Sequence, residues 1–286
     1  MSTTTTPPEV APEVDVAVCQ VALVVGDPDG NLARGVAAAE EAARRGARIV
    51  VLPELLRSGY VFASAQEARD LAEPADGPTA GAFTDLARRH DLVVAVGFAE
   101  VDTDGALRNS ALLLDGSGIR TVYRKAHLWD GEKEIFVPGD ELPEVIATPW
   151  SRLALAVCYD LGFVEWMRLI GLAGADLVCA PTNWPGPPRA DERPMEVVHV
   201  QAAASANRMF VAACDRTGAE RGVTWVGGSA VVGPDGRPLA EAPAGAGEHV
   251  LVARCRLTDA RRKETSTRNG VHADRRPELY AGLLTR

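Results

Sequence analysis

Short apolar runs of strand length, separated by amphipathic stretches and turn residues, set the pattern of this chain. Val14 to Cys19 is the first such run, and Asp27-Pro28-Asp29-Gly30 after it is turn chemistry. Asn31 is placed to cap a helix over 32–45, with Leu32, Val36 and Ala39 on one face and Gly46 at its end. A buried strand over 49–52 breaks at Pro53-Glu54, which leaves a carboxylate at the strand end. Gly77-Pro78 opens a second helix that ends near His90, and a strand over 92–101 follows. Runs over 106–114 and 119–123 flank Asp115-Gly116-Ser117-Gly118 and predict a hairpin, with Lys125 just beyond it.

The second half repeats the plan. An apolar run, Leu153 to Val157, delivers Cys158 and stops at Tyr159-Asp160-Leu161-Gly162. A helix is predicted over 163–173, a strand over 176–180, a proline-rich loop over 183–188 and a helix from about 191 to 207. A strand over 209–214 and a hairpin of 229–232 with 238–240, turning at Gly233-Pro234-Asp235-Gly236, precede a last strand over 249–255. Two halves of this kind can lay two mixed sheets face to face with helices outside. No sequence repeat marks a solenoid. The Thr/Pro/Glu-rich residues 1–13 read as a disordered lead-in to a folded domain over 14–260. The polar tail, 261–286, has little core of its own and is expected to lie on another surface, a second subunit first of all.

Composition narrows the function classes. Of the 286 residues 47% are apolar, enough for a substantial core, and the net charge is −9, from 30 basic and 39 acidic residues. That balance argues against nucleic acid or an anionic membrane as the main partner. No apolar run approaches the roughly 18–20 residues needed to span a bilayer, and the N-terminus lacks the basic start and apolar core of a secretory signal. The five cysteines are far apart, with no CxxC or HxxxH pair, so neither disulfide staples nor a metal site is expected and a reduced, cytoplasmic compartment is. Cys19, Cys179, Cys214 and Cys255 sit in apolar runs that predict core packing, and His127 is expected to make a structural hydrogen bond.

Three polar residues fall where strands give way to loops: Glu54, Lys125 and Cys158. A sulfur between a strand and a helix sits near the positive end of the helix dipole, which favours thiolate. A carboxylate nearby can take the thiol proton as sulfur attacks a carbonyl carbon. An ammonium can hold the oxygen charge that develops, and the Tyr159 backbone N–H is a natural second donor. The set suffices for acyl transfer without metal or cofactor. Spacing alone does not select it, because loop Glu and Lys residues are usually solvated.

The blocks VLPELLRSGY around Glu54, YRKAHLW around Lys125 and LAVCYDLGFVEW around Cys158 resemble the three signature blocks of the nitrilase, or carbon–nitrogen hydrolase, superfamily. VAVCQ, EKEIFVPGD, GGSAVVGPDG and DRRPELY resemble it too, so the likeness covers most of the chain. It implies an α/β fold, a four-layer αββα sandwich usually paired into a dimer, and a Glu54–Lys125–Cys158 triad. It also implies a role for Glu132, which precedes the glycine of the Pro138-Gly139 pair by the family's offset, in orienting the lysine and substrate; Glu134 does not match that offset. Val164 stands where the family often has proline, a departure that bears on the helix start more than on chemistry. The implied reaction is amide cleavage through a cysteinyl thioester, with release of ammonia.

Cys158-Tyr159-Asp160 resembles the amidase branches more than the Cys-Trp-Glu of true nitrilases. Leu161 and Gly162 stand where branches acting on N-carbamoyl amino acids often carry arginines. Tyr60, Asn183 and Trp184 are candidates for the pocket wall, with rim packing the other reading of Trp184. Arg57, Arg189 and Arg193 either meet an anionic substrate or are solvated. A small carboxamide is the favoured substrate. An N-carbamoyl amide hydrolase, a nitrilase, an acyltransferase and a non-catalytic binding protein remain open.

Overall fold

In β1 (Val14–Gln20) alternate side chains serve two different cores, and this alternation dictates the layers. Val16 and Val18 belong to one apolar cluster, and Ala17 and Cys19 to another. A strand apolar on both faces must be covered on both, here by a second sheet and by helices. The computed structural model describes residues 12–187, 193–243 and 245–284.

After β1 come α1 (Pro28–Arg44), β2 (Ile49–Val51), α2 (Ala65–Leu71), α3 (Pro78–His90), β3 (Val93–Val101), β4 (Leu107–Asp115) and β5 (Gly118–Arg124). The second half supplies β6 (Ile146–Ala147), β7 (Arg152–Leu155), α4 (Val164–Leu172), β8 (Leu177–Pro181), α5 (Met195–Asn207) and β9 (Phe210–Cys214). A small ribbon of β10 (Ala219–Glu220) and β11 (Val223–Thr224) precedes β12 (Ala230–Val232), β13 (Pro238–Glu241) and β14 (His249–Cys255).

The sheets run β14-β1-β2-β3-β4-β5 and β13-β12-β9-β8-β7-β6. Both are mixed: β1, β2 and β3 are parallel, as are β7, β8 and β9, and antiparallel strands flank them. Val16, Ile49, Val51 and Leu113 of the first sheet share a core with Leu153, Leu155, Cys179 and Ala212 of the second. The outer face of the first sheet packs on α1 and α3 through Ala39, Ala42, Phe83 and Leu86. The helices α4 and α5 cover the second sheet. The αββα sandwich expected for the chain is thus present.

Three details differ from the sequence reading. Asn31 does not cap α1. Asp27 does, accepting from Gly30 N at 3.1 Å with Pro28 in the first turn, while Asn31 is buried and tied to Val24 and Arg57 backbone. The helix α2 escaped notice although Ser64 and Glu67 give the capping-box pattern, with Ser64 accepting from Glu67 N. And β14, in the second half of the sequence, closes the first sheet by pairing antiparallel with β1.

Beyond β14 the chain crosses the end of α5, where Lys263 Nζ donates to the Asn207 and Arg208 carbonyls at 3.1 and 2.9 Å, a favourable place for a cation. Leu279 and Leu283 further on are exposed, as are Val164 and Leu169 of α4 and Met195 of α5. Among the described residues no helix is long and apolar enough to cross a membrane.

Candidate active site

Glu54 follows β2 in a segment pinned to β3 by Leu56 N→Gly97 O (2.9 Å) and Gly97 N→Pro53 O (3.1 Å). The approach is so close that a Cβ on Gly97 would lie 2.5 Å from Glu54 Cα, so only glycine fits there. Lys125 lies one residue beyond β5, its N–H donating to Asn109 O at 2.9 Å. Glu132 sits in a single 3-10 turn, Asp130–Glu134, and its Oε2 accepts from Trp129 N at 3.0 Å.

These side chains converge. Lys125 Nζ donates to Glu54 Oε1 and Glu132 Oε1, both at 2.8 Å, and the Lys125 and Glu54 side chains are wholly buried. Asn109 Nδ2 donates to Glu54 Oε1 at 2.7 Å, and the Tyr60 hydroxyl to Glu132 Oε1 at 2.5 Å. Glu54 Oε2 has no partner among the described residues.

Cys158 comes from the opposite sheet, three residues beyond the end of β7. Its backbone is left-handed (φ 47°), an unusual state for a residue with a Cβ and one that marks a constrained turn. The thiol donates to Asn183 O at 3.6 Å, and Asn183 Nδ2 donates to Glu54 O at 2.9 Å. Asn183 therefore ties the sulfur-bearing and carboxylate-bearing segments together. The helix expected over 163–173 is present as α4 (Val164–Leu172), and a 3-10 turn, Cys158–Gly162, separates it from the sulfur. Burial, and then the charge of Glu54, hold the thiol well above its ordinary pKa, with Lys125 pulling the other way. That shift disfavours the thiolate and opposes the effect expected of a helix dipole.

Burial pushes Glu54 up to about 7, Lys125 opposes the shift and Glu132 adds to it. Burial disfavours the Lys125 cation, but the two carboxylates outweigh it and its pKa lies above the ordinary value. The arrangement is a buried ammonium shared by two carboxylates beside a thiol, which can move a proton and hold an oxyanion in one place.

Asp160 fastens the cysteine turn. Wholly buried, it accepts from Val157 N (2.9 Å), Tyr123 OH (2.7 Å) and His127 N (3.1 Å), and its Oδ1 lies 2.7 Å from His127 Nδ1. His127 thus has the structural bond expected of it, and the lysine and cysteine blocks are joined. The other four cysteines are buried in the apolar cores.

A cavity of about 490 Å³ opens beside this cluster, with Tyr60, Glu132, Trp129, Pro185 and Trp225 among its walls. Tyr60 lines it as anticipated, although its hydroxyl is committed to Glu132. Trp184 does not line it. Its backbone N–H donates to Asp215 Oδ1 at 2.9 Å and its ring is buried beside Gly228, so Trp129 and Trp225 supply the indoles of the wall instead. Arg57 pairs with Asp29, and Arg193 with Glu241, away from the cavity; Arg189 lies outside the described residues. Among the described residues, the ionisable groups on the cavity wall are Asp130, Glu132, Glu134 and Tyr60, with no basic residue.

Sequence reasoning passed over Asn109, Asp160 and Trp225. A lone Asn among the apolar residues of β4 was a signal for the first, and a carboxylate two residues after the cysteine for the second. Trp225 sits in a ribbon with no local pattern.

The sequence model of the carbon-nitrogen hydrolase family matches residues 15–264. The chain belongs to this family. It is 33% identical over 270 residues to a nitrilase of Pyrococcus abyssi, covering 93% of this chain and 99% of the relative. It is 33% identical over 291 residues to an N-carbamoylputrescine amidase of Solanum lycopersicum, covering 95% of each. Among solved structures, an amidase from Nesterenkonia sp. superposes with a TM-score of 0.77 at 28% identity, covering 94% of this chain and 96% of that one. The chain is therefore a nitrilase-superfamily protein of the amidase-like branch, a hydrolase acting on carbon–nitrogen bonds other than peptide bonds.

Proposed function

We propose that the protein is a thiol amidohydrolase that cleaves a small carboxamide to carboxylate and ammonia. The observation that carries this reading is the buried Lys125 ammonium held by Glu54 and Glu132 beside Cys158. Glu54 takes the Cys158 proton as sulfur bonds to the amide carbon. Lys125 and the Tyr159 N–H hold the resulting oxyanion. Glu54 then passes the proton to nitrogen, the C–N bond breaks, and ammonia leaves a thioester. A water, deprotonated by Glu54, attacks that thioester. The C–S bond breaks, the carboxylic acid departs and the thiol regains its proton. A solved variant of the Nesterenkonia amidase carries the acetamide moiety of fluoroacetamide covalently on its active-site cysteine, which supports a sulfur nucleophile for this branch.

An ammonia-release screen over amides, nitriles and N-carbamoyl compounds, with Cys158→Ala as blank, tests this reading. Release from amides by the wild type and none by the variant is expected; equal release by both would end it.

A second reading has its own support. The carboxylates and indoles of the cavity, and the N-carbamoylputrescine amidase relative, favour an N-carbamoyl amine with a cationic tail over an N-carbamoyl amino acid. The same screen, run on the N-carbamoyl derivatives of a diamine and of an amino acid, separates the two.

We also propose that the protein is a homodimer, which the exposed apolar side chains of α4, α5 and the tail support. Sedimentation of a single 30.3 kDa species at micromolar concentration would refute it.

A further inference from the structure

Among the described residues, one wholly buried cation outside the three signature blocks is not used by the proposed chemistry. Arg216 has a side chain with no exposure and pairs with Glu220, itself 3% exposed, at 3.0 Å. A buried ion pair is weak evidence for stability, because desolvation offsets much of the attraction. Its geometry says more. Arg216 Nη2 also donates to Leu23 O, and its guanidinium lies 4.6 Å from the Trp225 ring centre. Glu220 Oε2 accepts from two successive backbone amides, Tyr60 N at 2.8 Å and Val61 N at 2.7 Å. The pair therefore grips the backbone of the segment that carries Tyr60. The Trp225 ring meets the Tyr60 ring edge-on at 5.4 Å, which holds the same side chain from the other side.

The grip leaves no slack. Gly59, just before Tyr60, has φ +78°, and a Cβ there would lie 2.4 Å from Val25 Cα and 2.7 Å from Glu220 Oε1. Tyr60 then has one polar task within reach, its 2.5 Å hydrogen bond to Glu132 Oε1, the oxygen that also accepts from Lys125.

We infer that the Arg216–Glu220 pair is a positioning device for Glu132 that acts through Tyr60. This rests on the reading of Glu132 and Lys125 as parts of the working site. Arg216 holds the Glu220 carboxylate, Glu220 holds the Tyr60 amide, and the Tyr60 hydroxyl fixes the Glu132 oxygen against which the ammonium is aligned.

A double-mutant cycle with Glu220→Gln and Tyr60→Phe tests the relay. The readouts are the second-order rate of Cys158 alkylation by iodoacetamide, followed by peptide mass spectrometry, the kcat and KM of amide hydrolysis, and the Tm. Each single variant is expected to slow alkylation and lower kcat by roughly 10–100-fold with little change in KM, as a misplaced catalytic group does. The double variant is expected to be no slower than Tyr60→Phe alone, because the two act in series. Additive losses, or a fall in Tm with unchanged rates, would overturn the inference and leave the pair a structural tie. If Glu220→Gln does not fold, Arg216→Lys replaces it in the cycle, since it keeps the buried positive charge and loses the two-nitrogen contact with the Glu220 carboxylate. Alkylation reads the site without a substrate. A wild type that releases no ammonia from any amide would therefore end the amidohydrolase reading, while the cycle still decides this one.

Discussion

Replacing Asp160 with asparagine isolates the contribution of the tie between the cysteine turn and the lysine segment. The carboxylate accepts four contacts, two at each oxygen: Val157 N and Tyr123 OH at Oδ2, His127 N and Nδ1 at Oδ1. An asparagine keeps one acceptor oxygen and turns an NH₂ group toward one of the two donor pairs. The side chain is wholly buried and Tyr123 is 4% exposed, so water does not compensate for donors left at Oδ2. Each unsatisfied buried donor costs about 1–3 kcal/mol, so two cost roughly 2–6 kcal/mol. For a chain of this size that corresponds to a Tm lower by roughly 3–10 °C. The same loss frees the turn that holds Cys158 at φ 47° and orients the Tyr159 N–H. A fall in kcat of roughly 10²-fold is expected, the scale of losing one oxyanion donor. Urea denaturation measures the first effect and ammonia release the second. An Asp160→Asn protein within 1 kcal/mol of wild type and fully active would refute the idea that this carboxylate holds the site together.

Four further outcomes are expected. Glu54 has its pKa raised from 4.5 to about 7, chiefly by burial, so its base form is populated only above that pH. The pH profile of kcat/KM should then rise between about 5 and 8, and a flat profile would count against Glu54 as base. By linkage, a carboxylate with a raised folded pKa contributes stability that is full below about 4.5 and is lost as pH climbs through about 7, so urea midpoints of Glu54→Gln should show less loss across that window than wild type. Gly97→Ala drives a methyl group into Glu54 backbone and should cost about 1–3 kcal/mol along with most turnover; wild-type rates in that variant would show that the close approach is not needed. In the native protein, thiol labelling should be confined to Cys158, since Cys19, Cys179 and Cys255 are buried with thiols pushed up to about 12 and Cys214 is buried and held well above its ordinary value, whereas Cys158, though raised as well, has Lys125 to favour its thiolate and Glu54 as the proposed proton acceptor. Comparable labelling of all five would contradict this.

Most strand positions were legible because each strand is a short apolar run bounded by turn residues, as in Val14–Gln20 and His249–Cys255. Their assignment to sheets was not, because nothing local in His249–Cys255 specifies that its partner is β1. The motif residues Glu54, Lys125 and Cys158 stood out at strand ends, and the fold brings them into one buried cluster. The upward shift of the thiol was not legible, because it comes from burial and from Glu54, neither of which is encoded near the cysteine. Asn109, Trp225, Arg216 and Glu220 were invisible for the same reason. Their roles come from distant contacts, such as Glu220 on Tyr60 N, and a lone Arg or Glu in a loop has no signature.

The pairing of β14 with β1 has a bearing on how the molecule comes apart. Glu54 and Lys125 belong to one sheet and Cys158 to the other, yet the final strand of the chain is stitched to the opening one. The halves of the sequence are therefore laced rather than stacked. Losing the last strand would bare the β1 edge of the first sheet, the side opposite β5 and the lysine that follows it.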